Sequence, residues 1–249
     1  MCTVVLLRRP GQLWPLILGA NRDEMRGRPW TAPARHWPDR PEVVAGRDDL
    51  AGGTWLGLND HGVVAAVLNR RGTLGPAPGL RSRGELALDA LDHADAAEAA
   101  SALAGLDARA FRPFHVVVAD DRDAFQLRGL GPEGPPAPER RAFADGISMV
   151  TAHDPDDQAD ARRIRHLPRF AAAPPPDPDA GAWRDWEALL GARDDGGPSA
   201  MTVALPGGFG TSSSALIALP RHGAGDGRRA AFRFADGHPE SIRWRAITI

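Results

Sequence analysis

The sequence predicts a layered α+β fold in which antiparallel sheets are covered by helices. Three observations carry this reading. Short apolar, β-branched or leucine-rich segments joined by Gly/Pro turns fill the first part of the chain. From Ser82 onward a stretch rich in Ala, Leu and Glu follows helical spacing. Strand-like segments then return and close the sequence.

Taken in order, "TVVLL" and "PLILGA" predict the first two strands. "GRPWTAPARHWPDRP" contains four prolines and is expected to be an irregular loop carrying two tryptophans. "GGTWLGLNDHGVVAAVLN" predicts a hairpin that turns at Asn-Asp-His-Gly. "SRGELALDALDHADAAEAASALAGL" predicts two short helices or one broken helix, opened by a Ser82/Glu85 capping box. "FHVVVAD", "AFQLRGL" and "GISMVTA" predict further strands, with "GPEGPPAPER" a loop between the last two. "QADARRIRHLPRF" starts as a helix and is expected to stop at Pro168. "PPPDPDAG" predicts an exposed linker and "AWRDWEALLG" a short amphipathic helix. "AMTVAL", "SSSALIAL", "AAFRFA" and "SIRWRAI" predict the closing strands. The last two alternate apolar and arginine positions like a half-exposed antiparallel hairpin. No internal repeat stands out, and a single domain over 1–249 is expected.

Composition narrows the chemistry. The 249-residue chain is 43% apolar with a net charge of −2. No general attraction to nucleic acid or anionic membrane follows from that charge. The longest apolar runs, "LWPLILGA" and "VVAAVL", are too short to cross a bilayer. The start lacks a basic lead before an apolar stretch, so a cytoplasmic location is expected. Every basic side chain other than histidine is arginine, and lysine and tyrosine are both absent. A catalytic lysine, a Schiff base and a tyrosine acid are therefore ruled out. One cysteine excludes an internal disulfide and a thiolate metal cluster. The histidines show no HExxH spacing, and no phosphate-binding glycine loop is present. No metal and no cofactor are expected, and the expected partner is a small-molecule substrate or ligand. Nothing in the sequence fixes the oligomeric state.

The one cysteine, Cys2, sits where removal of Met1 would leave a thiol and a free α-amine on one residue. Such an amine titrates near ~7.7–8.0. It can take the thiol proton and later return it to a leaving nitrogen, so one residue can serve as nucleophile, base and acid. The competing reading is an incidental residue at a tolerant terminus. "GANRDE" directly follows the second predicted strand, and an antiparallel return would bring Arg22 and Asp23 to Cys2. Asp23 can hold a protonated amine, and Arg22 can favour the thiolate and lower its pKa. A solvated charged turn is the alternative. Asn69 ends a buried-looking strand and can donate to an oxyanion, or simply suit a turn. Gly52 and Gly53 precede Trp55 and either line a pocket or bend a strand. His153 and Asp154 form a polar pair at a strand end. Ser212, Ser213 and Ser214 lack a nucleophile elbow and are read as satisfying local backbone groups.

Cys2, "GANRDE", "GGTWLG", "GVVAAVLNRRG" and "GFGTSSSALIAL", in this order, resemble the NRDE family, the transport and Golgi organization 2 homologues. That resemblance implies an N-terminal-nucleophile hydrolase-like αββα sandwich of two antiparallel sheets between helical layers. The family is in turn distantly similar to the choloylglycine hydrolase and penicillin V acylase group. This implies cleavage of a non-peptide amide by Cys2, with Asp23 on the amine, Arg22 nearby and Asn69 on the oxyanion. Gly53, Trp55 and His153 complete the expected set as substrate-binding residues. Two positions depart from the pattern. Met149 stands where many members carry a polar amide, and Ser212 where many carry an arginine. The alternative implied by the family is a non-catalytic lipid, haem or metabolite carrier on the same fold.

Overall fold

The computed structural model describes residues 2–154, 157–194, 197, 199–222, 227–237 and 243–249. The chain divides into two compact units.

The first unit comprises Met1–Arg28 and Asp145–Thr248. Its sheet uses β1 (Thr3–Arg8), β2 (Leu16–Met25), β10 (Gly146–Val150), β11 (Phe209–Leu219), β12 (Ala231–Asp236) and β13 (Arg243–Ile247). The order is β10-β1-β2-β11-β12-β13, antiparallel throughout. β2 runs past the expected strand end and carries the whole Asn-Arg-Asp-Glu tetrapeptide inside the sheet. Those polar residues are therefore strand residues rather than a turn. Two helices, α3 (Ala161–Ala172) and α4 (Arg184–Leu190), supply Phe170, Trp186 and Leu190 to a core built on Val5, Ile17 and Leu216. Gly19 is bare so that Leu190 and Trp186 can lie on β2: an added Cβ would meet each within 3.5 Å.

Two expectations are corrected in this unit, and a third position is explained. α3 does not stop at Pro168 but continues to Ala172. Its buried residues are Arg162, His166 and Phe170, four apart, whereas Ile164 is exposed. "AMTVAL" is not a strand, since only Ala204 forms an isolated bridge, to Gly210. "GISM" puts Met149 opposite Val5 and into the apolar core, so this position offers packing and no polar donor.

The second unit comprises Pro29–Ala144. Its sheet uses β3 (Trp30–Ala34), β4 (Val43–Asp48), β5 (Leu56–Asn59), β6 (Val64–Asn69), β7 (Phe114–Ala119), β8 (Ala124–Gly129) and β9 (Glu139–Ala142), in sequential antiparallel order. The proline-rich segment expected to be irregular contributes β3. The prolines are tolerated because β3 is an edge strand whose register breaks between Thr31 and Ala34, around Pro33. The β5–β6 hairpin forms as expected. Asn59 fixes its turn by accepting backbone N–H bonds from His61 and Val63, at 3.1 and 2.9 Å. Two short helices, α1 (Gly84–Leu91) and α2 (Ala96–Ala104), bury Leu86, Leu91 and Leu103 against Ala65, Val116 and Val118. Glu85 accepts from the Ser82 backbone N–H at 3.2 Å, and the Ser82 hydroxyl accepts from Gly84 N–H at 3.2 Å. Half of the expected capping box forms, the Glu85 bond to Ser82 N–H, while the cap position itself is Arg83, which makes no side-chain cap bond.

Candidate functional site

The first unit brings Cys2, Arg22 and Asp23 together through strand pairing alone. β1 and β2 are joined by a short connection, and their antiparallel register sets Thr3 opposite Asn21. Cys2, one residue earlier, is half-buried, and its thiol donates to the Asp23 carbonyl oxygen at 3.6 Å.

Alternation along β2 gives its polar residues different surroundings. Asn21 and Asp23 share the side of Ile17, which packs beneath α3 and α4. Asn21 accordingly donates to the carbonyls of Leu190 and Met201, at 2.9 Å each. The Asp23 carboxylate is buried and held from two directions. Thr211 donates its hydroxyl to Oδ1 at 2.6 Å, and Arg162 donates Nη1–H to Oδ2 at 3.0 Å. The same Arg162 nitrogen lies 2.9 Å from the Thr3 hydroxyl oxygen. Arg22 lies on the opposite side of the strand, also buried. It donates to Ser212 Oγ at 3.1 Å, and Ser212 donates back to the Arg22 carbonyl at 3.1 Å. Ser212 can do this because it is the extra residue of a bulge: Thr211 pairs with Asp23, and Ser213 pairs with Arg22.

Arg162 reaches Asp23 because the start of α3 is fixed to the sheet. Asp160 caps the helix by accepting from Arg163 N–H at 3.1 Å. Its other oxygen accepts the Thr151 hydroxyl at 2.7 Å, and Thr151 immediately follows β10. His153 belongs to this connection: its backbone N–H donates to Thr151 Oγ1 at 3.1 Å, and its Nδ1 lies 2.7 Å from Asp157.

The thiol of Cys2 is pushed above its ordinary range, first by burial and then by the negative charge of Asp23. This corrects the expectation of a depressed thiol. Arg22 does favour the thiolate, but burial and Asp23 outweigh it. Cys2 is therefore a neutral thiol at pH 7, and using it as a nucleophile requires a base.

The other expected residues lie in the second unit. Asn69 ends β6 opposite Phe114, and strand alternation places it on the side of Ala65 and Val67. Trp55 meets Trp30 edge to face at 5.7 Å, with its ring over Gly46. Gly53 has a packing reason of its own. An added Cβ would stand 2.6 Å from the Gly84 carbonyl carbon at the start of α1, where Thr54 N–H bonds to Gly84 O at 3.1 Å. Gly53→Ala is expected to cost about 1–3 kcal/mol by overpacking backbone against backbone. A urea titration showing no loss of stability would contradict that tight contact.

Sequence reasoning missed Arg162 and Thr211. The one available signal was the Asp160 cap ahead of "ARRI".

Residues 1–153 match the family model described as Transport and Golgi organisation 2. The chain belongs to that family. The mouse Transport and Golgi organization 2 homolog is 34% identical over 110 residues, which are 42% of this chain and 38% of the mouse protein. The human homolog is 33% identical over 112 residues, with the same coverage. The match spans less than half of these relatives' length. Among solved structures, penicillin V acylase from Agrobacterium tumefaciens superposes with a TM-score of 0.57 at 15% identity, covering 99% of this chain and 86% of the acylase. A Caenorhabditis elegans N-acylethanolamine-hydrolyzing acid amidase ortholog gives 0.56 at 14% identity, covering 86% and 92%. A mutant conjugated bile acid hydrolase from Clostridium perfringens gives 0.53 at 10% identity, covering 100% and 97%. The family member described here therefore has the N-terminal-nucleophile hydrolase-like fold that the resemblance implied. No helix among its described residues is long and apolar enough to cross a membrane.

Proposed function

We propose that the chain is an amide hydrolase that uses Cys2, exposed by removal of Met1, to cleave a non-peptide C–N bond in a small acylated substrate. The observation that supports this most directly is the Cys2–Asp23 juncture. The thiol rests on the Asp23 carbonyl, and the carboxylate of the same residue is clamped by Arg162 and Thr211.

The chemistry runs in two halves. The Cys2 α-amine takes the thiol proton, Sγ bonds to the amide carbon, and the carbonyl oxygen becomes an oxyanion. Collapse breaks the C–N bond, and the ammonium protonates the leaving nitrogen. A thioester on Cys2 remains. The amine then deprotonates a water that attacks this thioester, releasing a carboxylic acid and restoring the thiol. A thiol raised by burial suits this scheme, because the adjacent amine supplies the base that the thiol needs. His153, in the same unit as Cys2, is assigned to the substrate.

The three matched solved proteins are named for N-acylethanolamines, penicillin V and conjugated bile acids, and so define a test panel of acyl amides. Intact-mass analysis of the purified chain is expected to show loss of Met1. Rapid quenching with a turned-over panel member is expected to show the acyl mass on the Cys2 peptide. Retention of Met1 in all molecules, or turnover with no adduct at Cys2, would rule the mechanism out. The carrier alternative gains from Met149, which is committed to the core rather than to a polar role. It predicts saturable ligand binding with no acyl adduct.

A further inference from the structure

We propose that Arg162 is the positioning residue of this site, acting on Cys2 through Asp23 from a helix instead of from the late strand. This inference rests on the hydrolase reading of Cys2. Within the family resemblance, the late strand carries an arginine where this chain has Ser212. Here Ser212 is engaged by Arg22 through its hydroxyl and by its bulge geometry. The guanidinium on the Asp23 carboxylate comes from α3, 139 residues further along the chain.

The arrangement is more specific than general packing requires. Both side chains of the pair are fully buried. One guanidinium nitrogen serves Asp23 on β2 and Thr3 on β1, the residue that follows Cys2. It therefore ties together the two strand ends whose pairing sets the position of the thiol. Asp160 and Thr151 fix the first turn of α3 to β10, the strand on the other side of β1. Two paired strands thus meet on a single cation, and the helix that carries it is anchored just after β10. Beside burial, the charged side chains that act on the Cys2 thiol are Asp23, which raises it, and Arg22, which lowers it. Arg162 acts on the first of these.

The test reads Cys2 without a substrate. Alkylation by iodoacetamide is followed from pH 6 to pH 10 on chain shown by mass to lack Met1. Arg162→Met removes a cation while the Asp23 charge stays, so the alkylation midpoint is expected to rise by about one pH unit or more, a roughly tenfold slower reaction at pH 7. In an Asp23→Asn background the same substitution is expected to leave the midpoint unmoved, because its route to Cys2 is gone. Arg162→Lys is expected to recover most of the shift. If Arg162→Met fails to fold, Arg162→Lys in both backgrounds carries the comparison, with a smaller shift expected and again only where Asp23 is present. An unmoved midpoint, or an equal shift in both backgrounds, overturns the proposal. Failure of the hydrolase reading would show separately, as absent acyl adducts with the Arg162–Asp23 dependence of alkylation intact.

Discussion

Asp23→Ala is expected to destabilise the fold by about 3–5 kcal/mol, because it strands the Arg162 cation away from water. Against a typical domain stability of about 5–15 kcal/mol, that is a large fraction of the total. The pair itself need not be strongly favourable. Burying two charges costs desolvation energy that their attraction only partly returns, so the damage comes from breaking the pair, not from lacking it. Two comparisons separate these effects. Asp23→Asn keeps an oxygen for Arg162 and a polar group for Thr211, and should cost far less. Asp23→Ala combined with Arg162→Met removes both charges and should recover much of the lost stability. Urea unfolding of the unmodified chain, Asp23→Ala, Arg162→Met and the double variant forms the cycle. If the double variant is as unstable as the sum of the singles, Arg162 and Asp23 are not coupled, and the geometry at Oδ2 is misread.

Much of this site is written locally, and that part was legible. Two apolar strands with a short connection must pair antiparallel, which returns the end of the second to the start of the first. Arg22 and Asp23 therefore had to come near Cys2, and they do. What periodicity could not supply was the environment of each residue. "NRDE" looks like a turn because four polar residues rarely sit in a central strand. Here the first three find partners on other elements: Asn21 with Leu190 and Met201, Arg22 with Ser212, Asp23 with Arg162 and Thr211. None of those partners is near in sequence.

α3 shows the same limit more sharply. A hydrophobic reading of "ARRIRHLPRF" turns Ile164 inward, yet Ile164 is 54% exposed while Arg162 is 1% exposed. The helix is oriented by a charge pair and by its Asp160 cap, and these outweigh one isoleucine. The edge strand β3 was hidden for another reason. Proline forbids a central strand but not an edge one, and nothing local says which strand becomes an edge.

Cys2→Ala is expected to abolish turnover, a loss on the order of 10⁶ in kcat where a nucleophile acts in concert with its base. The more discriminating variant keeps the thiol and displaces the amine. One alanine inserted between Met1 and Cys2 leaves the side chain and strand pairing in place but converts the Cys2 nitrogen to an amide. General acid–base help is worth about 10²–10⁴, and that is the expected drop in kcat/KM at pH 7. The pH dependence then exposes the cause. Burial and Asp23 hold the thiol above its ordinary range, so at pH 7 it is almost wholly protonated. Without the amine, reactivity must follow the thiolate fraction, rising about tenfold per pH unit until the raised thiol pKa is reached. The unmodified chain should instead level off at lower pH, once its amine rather than its thiol is deprotonated. At high pH the extended variant should close much of the gap. Full activity of the extended variant at pH 7 would mean that the thiol finds its base elsewhere, and the α-amine would lose its part in the chemistry.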